Sequence, residues 1–172
     1  FPPRSSSDIE IARVMKKNNY HPLSCINFVA FVEDEIGLMG SYDYAGNTGY
    51  PGRLVKIMIN NDMIGYVASS NTSTWKVNMV SYENSLDISD KAKSLCTRYT
   101  GISYTNDNTY FNRSDSYPFF LRDCKTIFFI SSDTYAYYHT LNDISTNCNF
   151  DFCTEVTKLS CALLVWSDTP EL

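Results

Sequence analysis

Histidine is almost missing from this chain: His21 and His139 are the only two. That scarcity leaves little for a Ser-His-Asp, Cys-His or zinc-binding constellation to be built from. The short signatures of nucleotide-binding loops, nucleophile elbows and H-E-x-x-H metal helices are absent as well. No apolar run approaches the ~20 residues of a membrane helix; the longest are Phe28–Val32, Ile127–Ile130 and Ala162–Trp166. Basic residues are outnumbered, 14 Lys and Arg against 19 Asp and Glu. An acidic chain of this kind is a poor partner for nucleic acid, whose phosphates call for clustered cations. There is no repeat, low-complexity stretch or charge block, so residues 1–172 read as a single domain. The opening Phe1-Pro2-Pro3-Arg4 carries no apolar leader and reads as a mature end.

Aromatic residues and cysteine are plentiful. Thirteen Tyr and ten Phe in 172 residues exclude disorder and lean toward β structure. The six cysteines, Cys25, Cys96, Cys124, Cys148, Cys153 and Cys161, lack zinc-site spacing. Their even number suggests three disulfides and a secreted chain, with the pairing left open. Asn71-Thr72-Ser73 and Asn112-Arg113-Ser114 are glycosylation sequons that agree with export.

Periodicity starts with a helix. Ser7-Asp8-Ile9-Glu10 has the form of a capping box, and Ile11, Val14 and Met15 share a face before Lys16 and Lys17. The period then shortens to two. Ser24–Glu33 reads as a strand apolar on nearly both faces, hence central or well covered. Arg53–Asn60, Met63–Ser69, Thr74–Tyr82, Arg98–Thr105, Phe119–Ser131 and Thr134–Leu141 follow as further strands, several joined by Asn- and Ser-rich turns. Gly37–Gly52 is a long connection, while Leu86–Leu95 and Val156–Trp166 fit either helix or strand. One helix and seven or eight strands predict a mostly β fold, an antiparallel β-barrel or β-sandwich stabilised by disulfides.

Chemistry-bearing residues are few. Glu33-Asp34-Glu35 sits at a strand end, either as a solvated charge run or as an acidic mouth for a cationic ligand. His139 alternates with Tyr135 and Tyr137, so on the inner face of a barrel it could reach a ligand; in an enzyme it would be the one plausible base. Trp75 heads an alternating strand and joins them as a cavity residue. Tyr42, Tyr44 and Tyr50 lie in the long connection, where packing demands little, and form a possible protein-contact surface.

Residues 117–153 resemble the tail of tick salivary lipocalins. The likeness rests on Asp123-Cys124-Lys125-Thr126, the aromatic stretch Tyr135–Leu141 and Cys148-Asn149-Phe150-Asp151-Phe152-Cys153. It implies an eight-stranded barrel around a ligand cavity. The composition is also similar to that of the secreted β-sandwiches with which poxviruses evade immunity. The expectation is a secreted, non-enzymatic binder without metal or cofactor. Its partner is a small amine or lipid or, alternatively, a host immune protein such as a chemokine, cytokine or histocompatibility molecule.

Overall fold

The structure, a computed structural model, describes residues 7–48 and 55–169. Its framework is an open mixed sheet of four strands, β1 (Met58–Asn61), β2 (Lys76–Ser81), β3 (Ser103–Thr105) and β4 (Thr126–Ser131). Their spatial order is β1-β4-β2-β3. β1 runs parallel to β4, β2 antiparallel to β4, and β3 parallel to β2. Five α-helices accompany it: α1 (Ser7–Lys17), α2 (Met39–Thr48), α3 (Leu86–Tyr99), α4 (Ser116–Phe120) and α5 (Phe150–Ser167). β2, α3 and β3 make one β-α-β unit, which is how a chain returns to lay down a parallel neighbour.

The expected barrel or sandwich is therefore replaced by an α/β layer structure. The reason lies in the two central strands. Val77 and Met79 of β2, with Ile127 and Phe129 of β4, point to one face. Val80 and Tyr82, with Phe128 and Ile130, point to the other. A strand buried on both sides needs cover on both sides, and helices supply it. On the first face Phe152, Val156, Leu159 and Leu163 of α5 recur at helical spacing beside Ile88, Ala92 and Leu95 of α3. On the second, Tyr117 and Phe120 of α4 pack over Tyr82 and Phe128. The Tyr82 hydroxyl donates its one proton to the Phe111 carbonyl at 2.7 Å and therefore accepts from Ser116 Oγ at 2.8 Å. Burial pushes its pKa up to about 12.

Other expectations change accordingly. The helix predicted near the N-terminus is α1, which buries Ile11 and Met15. Gly37–Gly52, read as a connection, contains α2, and both ambiguous stretches are helical, as α3 and within α5. Arg98–Thr105 begins as the end of α3, and Phe119–Ser131 begins as α4 before becoming β4. Met63–Ser69 and Thr134–Leu141 are turns and irregular chain rather than strands. Ser24–Glu33 forms no sheet strand either; it has no helix or strand structure and is partly exposed.

The cysteines form no disulfide: all six are free thiols. Cys153 and Cys161 lie eight residues apart on α5, about 12 Å along its axis, beyond the reach of a bridge. Cys96 is sealed in the core, where its thiol lies 3.4 Å from Thr100 Oγ1. Among the described residues no helix is long and apolar enough to cross a membrane.

Candidate active site

Four acidic side chains and one histidine meet where the chain leaves two segments, one irregular and one a strand. The first segment, residues 24–32, runs into Glu33, Asp34 and Glu35, the last two in a short 3-10 turn. The second, β1, runs into Asp62. Asp115, just before α4, lies against this group, and His139 arrives from the turns after β4. His139 Nε2 and Glu35 Oε1 share a hydrogen bond of 2.7 Å across 104 residues of sequence. The His139 ring stacks on Tyr138 at 3.8 Å between centroids. Side-chain exposures of 57% and 61% make this pair worth at most about 1 kcal/mol of stability, so stability does not account for it.

The carboxylates feel one another. Burial, then the charges of Asp115 and Glu35, raise the pKa of Asp34. Burial is also the main cause at Asp62, where Asp34 and Glu35 add to the rise and the hydrogen bond from Ser114 opposes it. Asp115 is raised by burial, against a hydrogen bond from Ser41, with Asp62 adding repulsion. Asp62 Oδ2 accepts from Ser114 Oγ at 2.8 Å, and Ser114 Oγ accepts from Asn60 Nδ2 at 2.7 Å. Two buried oxygens, Asp34 Oδ1 and Asp115 Oδ1, have no hydrogen-bond partner. A buried oxygen left bare in this way is costly unless water, a cation or substrate completes it.

The backbone here is unusual too. Glu33, Leu38, Met63 and His139 all have left-handed φ, between 52° and 64°. Side chains disfavour that region by a kcal/mol or more, and such residues gather where function sets the geometry. Oxygen and imidazole donors of this kind suit a divalent metal such as zinc in type. Among the described residues, however, no three His, Cys, Asp or Glu side chains are gathered closely enough to hold one.

Of the residues expected to line a cavity, His139 is in this cluster. Tyr135 and Tyr137 lie on the same turn with rings 5.8 Å apart, and Tyr135 donates to Asp143 at 2.6 Å. Trp75 is core: it packs edge-on to Phe152 and donates Nε1–H to the Ser69 carbonyl at 2.8 Å. Tyr42 is exposed on α2, whereas Tyr44 packs between Phe31 and Phe119. Tyr50 lies outside the described residues. Asn71 and Asn112 are both exposed. Asp62 and Asp115 were missed; Asp62 read as turn chemistry. A carboxylate directly after an apolar strand is a usable signal, since α/β folds gather their chemistry at strand C-termini.

An open α/β sheet with acid–base groups at its strand ends is the architecture of hydrolases and nucleotide enzymes rather than of β-barrel carriers. The chain belongs to peptidase family M28, whose profile matches residues 5–164. The fold is shared with solved structures of limited sequence identity. LapA aminopeptidase from Legionella pneumophila superposes with a TM-score of 0.86 at 22% identity, over 96% of this chain and 46% of that one. LapB from the same organism gives 0.84 at 24%, over 92% and 44%. BSAP, a zinc aminopeptidase from Bacillus subtilis, gives 0.74 at 21%, over 94% and 40%. The chain thus spans less than half the length of each of these structures. Family membership corrects the lipocalin resemblance, and with it the non-enzymatic function and the amine, lipid or immune-protein partners expected from it.

Proposed function

We propose that this chain carries the carboxylate–imidazole part of an aminopeptidase site. The observation that carries the reading is the convergence of Asp34, Glu35, Asp62, Asp115 and His139, with two buried oxygens left bare. Such a concentration of negative charge attracts the N-terminal ammonium of a peptide. Asp34 is the proposed base. Its raised pKa brings proton affinity toward neutrality, and its free Oδ1 can take a proton from an attacking water. Glu35 holds His139, and Tyr138 fixes the ring plane from behind.

The solved relative described as a zinc enzyme supports a zinc-dependent reaction. No three of the described side chains stand close enough to hold that metal by themselves, so Glu35, Asp62 and His139 would each contribute a donor only alongside donors from outside the described residues. A bound zinc ion polarises a carbonyl and lowers the pKa of water.

Zinc titrated into the folded protein should shift the NMR signals of residues 34, 35, 62 and 139, and His139→Ala should weaken binding at least tenfold. Zinc-loaded protein should release p-nitroaniline from leucine p-nitroanilide, with Asp34→Asn lowering turnover at least a hundredfold. Unshifted signals in a folded protein overturn the reading. A secreted address is proposed on the two exposed sequons alone, and glycan occupancy at Asn71 and Asn112 after expression in animal cells tests it.

A further inference from the structure

The sheet is open on its β1 side. Met58 N–H donates to the Lys125 carbonyl and Asp62 N–H to that of Phe129, so even-numbered residues of β1 turn their peptide groups toward β4. Ile57, Ile59 and Asn61 turn theirs the other way, where β1 has no sheet neighbour among the described residues.

A second run, residues 25–32, belongs to no helix or strand and lines the same groove as that edge. Residues 25–32 take part in no backbone–backbone hydrogen bond among the described residues. Yet the stretch has the composition of an inner strand, and Phe28 and Val32 remain 40% and 68% exposed. Between this run and β1 lies a groove of about 710 Å³, with Ile26, Phe28 and Phe31 on one wall, Ile57 and Ile59 on the other, and Leu164 beneath. The outer wall is fastened from below. Asp168, at the end of α5, accepts from Leu23 N–H and Ser24 N–H at 2.8 Å each and from the Tyr20 hydroxyl at 2.7 Å.

A row of β1 peptide groups without a sheet partner among the described residues, facing an apolar run that makes no backbone hydrogen bond among them, is complementary to a polypeptide strand of alternating apolar character. We propose that the groove is a strand-acceptor slot, filled by an extended segment from outside these 172 residues, which joins residues 25–32 to β1 and completes the sheet. Two further observations favour this occupant. The related structures are more than twice the length matched here, so the shared fold has more chain to place than this sequence contains. Both walls also end at the acidic cluster, one at Asp34 and Glu35, the other at Asp62. A strand lying between them delivers its own end residues to that cluster.

The test uses a fluorescein-labelled nonapeptide of alternating Val and Thr with a Lys at each end. Saturable anisotropy is expected, together with at least tenfold slower amide exchange at Ile57, Ile59, Asn61 and residues 26–31. Methylation of alternate peptide nitrogens should weaken binding at least tenfold. Ile57→Pro, which removes a slot-facing N–H and leaves the β1–β4 ladder intact, should do the same. The slot is overturned by flat anisotropy with folded protein, by binding indifferent to N-methylation, or by unchanged exchange. It is equally overturned by a dimer in sedimentation whose β1 amides are already protected, because a second copy would then be the occupant. None of these readouts depends on zinc or turnover, so failure of the slot and failure of the peptidase reading are separable.

Discussion

The two long sides of the sheet are built on opposite terms. Around β2 and β4 every strand has neighbours on both edges and helices on both faces; Val77, Met79, Ile127 and Phe129 are wholly out of reach of solvent. Around β1 one edge has no sheet partner among the described residues, an apolar run without backbone partners among them lines the same groove, and both segments lead into the acidic cluster. Stability is concentrated on the first side and unsatisfied chemistry on the second. Groups that could be paired within the chain are paired in the core, while the β1 margin joins an unpaired strand edge to an apolar groove.

That contrast is sharpest for phenylalanine. Phe129→Ala should remove about 3–5 kcal/mol, enough to unfold much of the population in a denaturant titration. Phe28→Ala, on the slot wall, should cost less than about 1 kcal/mol in the same titration. Equal losses would mean that the two sides are not distinct.

A smaller effect of opposite sign is expected at Asp62. Its pKa is raised in the folded chain, so its destabilising influence is absent below the ordinary aspartate range. That influence grows as pH rises through the range and is complete above the raised value. Asp62→Asn should therefore raise Tm by a few degrees at pH 7 and by almost nothing at pH 3. Asp168 behaves in reverse. The Leu23 N–H and the Tyr20 hydroxyl hold its carboxyl below the ordinary range, so its contribution is present at neutral pH and lost as pH falls through the lowered value. Asp168→Asn should speed amide exchange at residues 20–24 and leave β2 and β4 unchanged. The smallest effect concerns the thiols: adding a reductant should move Tm by less than about 1 °C, because there is no bridge to break.

Parts of this arrangement were legible in the sequence. The alternation in Thr74–Tyr82 is β2, and the spacing of Ile11 and Met15 is the buried face of α1. The fold class was not legible, because strands buried on both faces show continuous apolar runs that also suit a β-sandwich core. Aromatic abundance added to the error: Phe119, Phe120 and Phe152 are strand-favouring residues set in helices by tertiary packing. Cysteine number misled because it says nothing of distance, and the positions on α5 forbid bridging. At the site, Glu33-Asp34-Glu35 and His139 each drew attention singly. Their meeting depends on a chain path of 104 residues that no local pattern encodes.

The Asp168 anchor carries a consequence for the order of events during synthesis. It ties the Tyr20–Ser24 corner to a residue 144 to 148 positions later. Contacts of such span form late, after all the residues between them have been made. The outer rail of the slot therefore sets only when α5 is formed and capped at Asp168. Any strand that enters the slot meets a sheet already folded on one side and only just fastened on the other.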